Sequence, residues 1–393
     1  MIAIFLAPAY LLLNVYLARW VLRWTGACHR FCGTKAFRVA FIVVYALVAS
    51  APLTGFLIQS PYALRKFLRQ VGNYWFGWML YLVLAVLIVE VALFVIRRVR
   101  GKDFEQMQQV RRVQGGVALA LVCAVSFYGM VHAKQLHVTE YDVTLQGAGE
   151  DMTVALLADL HLGYSTEPAY IERAVQEINQ RQPDLVVIAG DIFDNEYEAI
   201  PQPERIAAAL ASLDSTYGTY ACWGNHDLSE PILAGFTWDT ADKNKDDPRM
   251  TEFLETAGVT LLDDRAVTLE NGAQLVGRRD PARSNKLAEQ RLSPAQLIAP
   301  LDQQQPIFVI DHQPKELEAL AQAGVDLDLS GHTHDGQLFP GNLLMRLLWD
   351  NACGREQIGD MVSVVTSGLG VWGPDMRVGT RSEVVCISVH FSE

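Results

Sequence analysis

The stretch Asp184-Leu185-Val186-Val187-Ile188-Ala189-Gly190-Asp191 decides the fold class. The apolar run at 185–188 shows no alternation, which is typical of a strand that is buried on both faces. The run ends at a glycine followed by a carboxylate. Because ligands bind at the carboxyl ends of the strands in open α/β sheets, this pattern places Asp191 where chemistry is expected. A Gly-Asp pair after a strand is also a common turn, so the stretch by itself does not identify a function.

The same pattern occurs four more times along the chain. In each case an apolar, strand-like run is followed by Asp, His or Asn. The polar motifs after these runs are Asp159-Leu160-His161, Gly224-Asn225-His226-Asp227, Asp311-His312 and Gly331-His332-Thr333-His334. These side chains offer oxygen and imidazole ligands and no thiolate, a set that suits Mn, Fe, Zn or Mg. Chance explains one such strand end but not five, so the motifs together predict a metal site.

As an ordered set, the five motifs resemble the calcineurin-like metallophosphoesterase family. The resemblance covers the chain from about residue 152 to the C-terminus. It implies an α/β fold in which two facing sheets are flanked by helices, an αββα sandwich. It also implies a hydrolase of phosphoester bonds that holds two divalent metal ions. The ligand types leave the identity of these ions open among Mn, Fe, Zn and Mg.

The resemblance assigns a role to each site residue. Asp159, His161 and His334 would bind the first metal, Asn225, His312 and His332 would bind the second, and Asp191 would bridge the two. His226 would act at the leaving-group oxygen as a general acid or charge stabiliser, and Asp227 would orient it. Asp194 is either a support for a ligand or a turn residue. Arg377 contacts either a phosphate oxygen or a surface carboxylate, and Asp311 could order His312.

The chemistry explains why such residues are needed. Two metal ions about 3.5–4 Å apart neutralise the phosphoryl oxygens and lower the pKa of a bridging water, so that a metal-bridging hydroxide attacks phosphorus. Asp191 suits the bridge because a carboxylate offers two oxygens. The motifs do not separate monoesters from diesters. We expect phosphodiester or pyrophosphate bonds to be the substrates.

Charge divides the chain near residue 135. The first 134 residues carry 15 Lys and Arg against 3 Asp and Glu, whereas the remaining residues carry 17 against 41. The acidic second part disfavours nucleic-acid binding, which requires a basic surface. The six cysteines form neither a disulfide framework nor a zinc pattern. The sequence does not decide whether Cys222 and Cys353 form a disulfide.

Apolar stretches in the first third predict a bundle of transmembrane helices before the sandwich. The predicted parts are a transmembrane module at 1–133 with helices at about 2–24, 37–58, 74–96 and 116–131, a connector and first strand at 134–151, and the metallophosphoesterase domain at 152–393. The first stretch lacks the basic start and the small-residue cleavage site of a signal peptide, so we expect it to be retained.

Loop charges predict the orientation of this multi-pass integral membrane protein. Lys and Arg concentrate in the first and third loops between the apolar stretches. Basic loops stay in the cytoplasm, so the catalytic domain is predicted on the extracytoplasmic side. Glu90 lies inside the third stretch, where an ionisable group is costly. It either pairs with Arg19, which we propose, or reaches the membrane surface or stays protonated.

The expected partners are membrane lipids and a phosphorylated small-molecule or lipid substrate, such as a phospholipid headgroup or a lipid-linked pyrophosphate of the cell envelope. Protein partners stay open. Two alternatives to the enzyme are a non-catalytic sensor or scaffold for a phosphorylated ligand, and a protein phosphatase. The presence of His226 and Asp191 argues against the sensor, and fold alone does not separate an esterase from a protein phosphatase.

Two features depart from the family pattern. Asp335 follows the last motif, where relatives often carry glycine. This extra carboxylate would limit anionic substrates or support the first metal. The apolar stretch at 338–349 is unusual for a loop beside an active site. It is either buried packing or a lip that touches the membrane or an acyl chain.

Overall fold

The computed structural model describes residues 2–100, 108–147, 149–233, 236–237 and 246–392. The chain divides into two compact units. Unit 1 contains Met1–Val131, Ile232–Asp239 and Gly373–Met376, and unit 2 contains His132–Pro231, Thr240–Trp372 and Arg377–Glu393.

Helices dominate the described part of unit 1. They are α1 (Ile2–Cys28), α2 (Lys35–Ala49), α3 (Ala51–Leu57), α4 (Tyr62–Arg100) and α5 (Gln108–His132), with a 3-10 turn at Arg30–Gly33. A short antiparallel pair, β5 (Ile232–Leu233) and β6 (Phe236–Thr237), completes the unit. Many large apolar side chains of the helices are exposed, for example Leu12 and Leu47. Such exposure is expected of helices that face lipid rather than water.

Two of these helices, Tyr62–Val99 and Gln109–His132, are long and apolar enough to cross a membrane. A third span exists if α2 and α3, which are bent by 52° relative to each other, form one span. Over its described residues, α1 is not among the helices that meet this criterion. The four-span module therefore stays a prediction.

Glu90 does not pair with Arg19 among the described residues. Its Oε1 accepts hydrogen bonds from Trp20 Nε1 and Gln114 Nε2, both at 2.8 Å. The carboxylate thus links α1, α4 and α5 through neutral donors. The predicted ion pair is wrong because the side chain that α1 turns towards Glu90 is Trp20, the neighbour of Arg19.

Two six-stranded sheets form the described part of unit 2. The first contains, in spatial order, β1 (Leu136–Gln146), β14 (Ser382–Ser392), β2 (Met152–Leu157), β3 (Leu185–Ala189), β4 (Thr219–Cys222) and β7 (Val259–Leu261). The second contains β12 (Gly354–Ile358), β13 (Met361–Val365), β11 (Leu327–Ser330), β10 (Ile307–Ile310), β9 (Gln274–Gly277) and β8 (Arg265–Thr268). The helices α6 (Pro168–Asn179), α7 (Pro203–Leu210) and α8 (Pro248–Thr256) cover the outer face of the first sheet, and α10 (Pro294–Ile298) and α11 (Leu317–Gln322) cover that of the second. The remaining helices of the unit are α9 (Pro281–Leu287) and α12 (Gly341–Leu348).

The strand β3 shows why its sequence does not alternate. Val186 and Ile188 pack in the cluster formed with α6, α7 and α8, whereas Leu185 and Val187 pack in the cluster between the two sheets. A third cluster joins the second sheet to α10 and α11. The layers are therefore helix, sheet, sheet and helix, and the predicted αββα sandwich is confirmed.

Strand direction brings the polar motifs to common edges. β2, β3 and β4 are parallel neighbours, and so are β9, β10, β11 and β13. The helices α6 and α7 make the crossovers between β2, β3 and β4, as the β-α-β-α-β order predicts. The turn at Asn271-Gly272 joins β8 and β9 as an antiparallel hairpin. All six cysteines are free, so the bridge between Cys222 and Cys353 is not formed.

Candidate metal centre

Backbone hydrogen bonds tie the polar motifs together where the strands end. The amides of Asp159 and His161 donate to the carbonyls of Gly190 and Asp191, each at 3.0 Å. In the second sheet, the amide of Gly331 donates to the carbonyl of His312 at 3.1 Å. The loops therefore hold one another in place before any ligand binds.

Six of the seven predicted ligands meet in two clusters. Asp159, His161 and His334 form one cluster, and Asp191, His312 and His332 form the other. Within each cluster the candidate ligand atoms lie within 4.8 Å of one another. His161 Nε2 is 3.0 Å from His334 Nε2, and His312 Nε2 is 3.1 Å from His332 Nδ1. Such convergence of imidazole nitrogens with carboxylates suits a divalent cation in each cluster.

Asp191 lies between the two clusters, and its Oδ2 atom is close to an imidazole nitrogen of each. Its Oδ2 is 3.1 Å from His312 Nε2 and 3.9 Å from His161 Nε2. Its Oδ1 accepts a hydrogen bond from the amide of His226 at 2.7 Å. The sequence predicts that both carboxylate oxygens of Asp191 take part in bridging the two metals. In the structure, Oδ2 is the oxygen close to an imidazole of each cluster, while Oδ1 accepts the amide of His226.

Two buried oxygens test whether metal ions fit this site. The Oδ2 atom of Asp159 accepts from the amide of His332 at 2.9 Å, but its Oδ1 accepts no hydrogen bond among the described residues. The Oδ1 atom of Asn225, the seventh predicted ligand, is also buried without such a partner. An unsatisfied buried acceptor costs about 1–3 kcal/mol. A bound cation would satisfy both oxygens, so the residues fit the metals that the motifs imply.

The ionisation of these groups also suits metal binding. Burial raises the pKa of Asp159 to about 6. Burial acts on Asp191 in the same direction, but the imidazole of His312 favours the ionised carboxylate and holds the pKa of Asp191 well below its usual range. Burial lowers the pKa of His332 and of His334 well below the usual range. Both imidazoles are thus neutral, the form that binds a metal.

Second nitrogens and neighbouring carboxylates orient the ligands. His312 Nδ1 donates to the carbonyl of Ala189 at 2.9 Å, so Nε2 is the nitrogen that faces Asp191 Oδ2. Asp194 Oδ1 lies 3.7 Å from His161 Nδ1, so Asp194 supports a predicted ligand. Asp311 does not order His312, because its Oδ2 accepts from Arg291 at 2.7 Å and Arg278 at 3.2 Å.

Five predicted ligands have a left-handed backbone. The φ angles are 53° for Asp159, 44° for His161, 47° for Asp191, 72° for His332 and 51° for His334. A non-glycine residue in this region costs roughly 1–3 kcal/mol. Such strain persists where the surrounding structure fixes the residue, as the loop hydrogen bonds do here. Asp335 shares this conformation with φ 47°, but it belongs to neither cluster among the described residues.

His226 is oriented by Asn195 and not by Asp227. The carboxylate of Asp227 accepts from the amides of Phe193 at 2.8 Å and Gly224 at 2.7 Å, so it holds the loop. His226 Nδ1 lies 2.5 Å from Asn195 Oδ1. The Asn195 Nδ2 atom donates to the carbonyl of Leu228 at 3.1 Å, which fixes the amide orientation. His226 Nδ1 therefore carries the proton, and Nε2 is the atom presented to a substrate.

Arg377 does not pair with a surface carboxylate among the described residues. The side chain is completely buried and donates to the carbonyls of Ser367 and Gly370 at 2.7 Å and of Gly368 at 3.2 Å. The amide of Gly370 in turn donates to the carbonyl of Asp159 at 2.8 Å. Arg377 thus fixes the loop that packs against a predicted ligand.

The family model described as calcineurin-like phosphoesterase matches residues 152–336. The matched segment includes all seven predicted ligands. It also includes β2 and β3, the strands that carry the first two motifs.

Residues 152–336 are a calcineurin-like phosphoesterase domain.

Curated relatives of this phosphoesterase domain are similar over different shares of the chain. A protein of Helicobacter pylori named uncharacterized metallophosphoesterase is 31% identical over 253 residues, 63% of this chain and 62% of that protein. The chain therefore spans less than two thirds of that relative. A Danio rerio transmembrane protein with metallophosphoesterase domain is 25% identical over 93% of this chain and 84% of its own length. The UDP-2,3-diacylglucosamine pyrophosphatase LpxG of Chlamydia trachomatis is 24% identical over 48% of this chain and 64% of its own length.

Removing the side chain of Asn195 should impair turnover without loss of metal. We expect Asn195→Ala to lower kcat by about 10–100-fold, because His226 loses the acceptor that orients it. Asn195→Asp should restore most of the rate and shift the pH profile upwards, since a carboxylate favours the charged imidazole. The pH dependence of kcat and the metal content by mass spectrometry provide the measurements. Unchanged kcat in Asn195→Ala would refute the assignment.

The buried guanidinium of Arg377 should be required for stability. We expect Arg377→Ala to lower the free energy of unfolding by about 3 kcal/mol or more, because it leaves the carbonyls of His334, Ser367, Gly368 and Gly370 without their donor. The matched control is Arg381→Ala, which removes an exposed arginine of the same loop region. Thermal unfolding of the detergent-solubilised protein compares the two. Equal melting temperatures would contradict this role for Arg377.

Proposed function

We propose that this chain is a multi-pass membrane enzyme that hydrolyses phosphodiester or pyrophosphate bonds with two divalent metal ions. The observation that carries the proposal is the position of Asp191 Oδ2, within 4 Å of an imidazole nitrogen in each cluster. A carboxylate within reach of two ligand sets is placed to bridge two metal ions.

The bound metals supply charge neutralisation for the phosphoryl oxygens and a lowered pKa for water. Asp159, His161 and His334 hold the first metal, and Asn225, His312 and His332 hold the second. Most of these ligands are neutral, so the two ions keep a net positive charge for an anionic ester. The loop hydrogen bonds fix the ligands in advance, which reduces the cost of ordering the site.

His226 handles the proton at the leaving group. Its ring lies 5.2 Å from the ring of His161, so it stands next to the first cluster. Because Nδ1 is held by Asn195, only Nε2 can face a substrate. Once protonated, Nε2–H donates to the leaving-group oxygen as the bond to phosphorus breaks. Burial lowers the pKa of His226, which favours release of that proton.

The substrate class follows from the relatives and from the helices of unit 1. The relative named for diacylglucosamine pyrophosphatase activity supports a pyrophosphate bond on a lipid precursor. The relative named as a transmembrane protein supports a membrane location. The basic first and third loops support an extracytoplasmic catalytic domain, so a substrate of the cell envelope fits best.

Hydrolysis of model esters tests this function. The full-length protein in detergent should hydrolyse bis-p-nitrophenyl phosphate after addition of Mn and lose the activity when stripped of metal. Asp191→Asn should lower the rate by roughly 100-fold or more, since the metals contribute several kcal/mol to the transition state. Asp335→Asn is the matched control outside both clusters.

The comparison with p-nitrophenyl phosphate separates a diesterase from a monoesterase. Preference for the monoester would correct the proposed substrate bond. Turnover that survives in metal-stripped protein and in Asp191→Asn would contradict the dinuclear mechanism itself.

Labelling with a membrane-impermeant maleimide tests the orientation. In right-side-out vesicles, a cysteine introduced by Glu356→Cys should react, because Glu356 is exposed in the catalytic domain. The native Cys28 is exposed in the first basic loop and should react only after lysis. Peptide mass spectrometry distinguishes the two sites. The reverse pattern would place the domain in the cytoplasm.

A further inference from the structure

Unit 2 concentrates its exposed apolar surface in one short segment. Among its described residues, the large apolar side chains that are exposed are Phe339 at 46%, Leu343 at 53%, Leu344 at 52%, Leu347 at 82% and Leu348 at 64%. The other large apolar side chains with such exposure belong to the helices of unit 1. Contiguous exposed apolar patches mark interaction surfaces, whereas single exposed residues do not.

The four leucines share one face of α12, which we call the leucine face. Their spacing, 343, 344, 347 and 348, repeats at helical intervals. The opposite side carries Asn342, Met345 and the following Trp349, which are partly buried. An ordinary surface helix turns its apolar stripe towards the core. Here the helix turns the leucines outwards, so packing within unit 2 does not explain them.

Both ends of α12 are attached to residues of the metal centre. Before the helix, the turn at His334–Gly336 packs so closely that a Cβ on Gly341 would lie 2.5 Å from the carbonyl oxygen of Gly336. After the helix, the Trp349 ring lies 5.2 Å from the ring of His332. The leucine face is therefore held at a fixed position beside both ligand clusters.

We propose that the leucine face inserts among the acyl chains of the lipid bilayer. This inference rests on the proposed function, because the metal centre beside the leucine face would then act on a phosphoester carried by a membrane lipid. The sequence left buried packing and a membrane lip as alternatives for this stretch. The exposure of the leucines argues against packing.

The transmembrane helix before unit 2 is the reason to expect the bilayer as the partner of the leucine face. α5 is long and apolar enough to cross a membrane, and it ends at His132. Only three residues separate it from β1, so the first strand of unit 2 follows this helix after a short connection of the chain. A helix with leucines on one face and a basic residue beside them suits an interfacial position, about 5–10 Å into the headgroup boundary. The exposed Arg346 of α12 provides that basic group for anionic headgroups.

Photo-crosslinking in the full-length protein tests the surface without requiring turnover. The probe is p-benzoylphenylalanine in place of Leu347, in vesicles of phosphatidylcholine and phosphatidylglycerol in equal parts. The matched control carries the probe in place of Glu356, an exposed residue of β12. Lipid adducts at 347 should exceed those at 356 by about tenfold, because acyl chains surround only the first position.

Equal lipid adducts at the two positions would overturn the proposal. Adducts at 347 to this chain or to a second copy, without lipid, would also overturn it, because the leucine face would then be a protein contact. Either result leaves the hydrolase proposal intact, since the readout is independent of catalysis.

A kinetic comparison tests the link to lipid substrates. We expect Leu344→Ser combined with Leu347→Ser to leave hydrolysis of bis-p-nitrophenyl phosphate unchanged and to lower hydrolysis of a diacylglycerol p-nitrophenyl phosphate in vesicles by about tenfold. Equal rates of the variant and the wild type on the lipid ester would contradict the link. If the wild type hydrolyses neither ester, the proposed function fails, while the crosslinking result still decides the surface.

Discussion

The structure of unit 2 depends on the burial of two carboxylates at the centre of the site. Asp159 is completely buried and Asp191 is 2% exposed. Each carboxylate gives one oxygen to a backbone amide of another motif, His332 for Asp159 and His226 for Asp191. The other oxygen faces the imidazoles of a cluster. Burying a carboxylate without a counter-charge costs several kcal/mol, so bound cations would stabilise this arrangement. The site is thus an anionic cage that two metal ions would stabilise.

The rest of the fold brings these two carboxylates together. Parallel strands end at a common edge, and the sandwich places the two edges face to face. Close packing then demands small residues at the strand ends. A Cβ on Gly224 would collide with the carboxylate of Asp191, and a Cβ on Gly331 would lie 2.6 Å from Asp159 Oδ2. The ligands have a left-handed backbone for the same reason, because tight turns are needed to direct their side chains into a small volume.

The sequence was sufficient for the buried strands and for the ligand motifs, because strand burial and strand-end residues are local patterns. The two-sheet sandwich was expected only from the resemblance to the family. The partners of single side chains were not predictable in this way. Asn195 orients His226 across two loops, and the sequence places Asp227 next to His226, so proximity along the chain favoured the wrong residue. Arg377 and Glu90 were misassigned for a related reason, since charge suggested ionic partners where the structure provides carbonyls and neutral donors. The direction in which α12 turns its leucines depends on its attachment to the metal centre. The helical spacing of the leucines does not reveal this attachment.

Anomalous diffraction from crystals of the full-length protein grown with Mn would locate the metal ions. A dinuclear centre predicts two anomalous peaks about 3.5–4 Å apart, one in each cluster, with Asp191 Oδ2 between them. A single peak, or peaks that leave either cluster empty, would contradict a dinuclear centre built on Asp191.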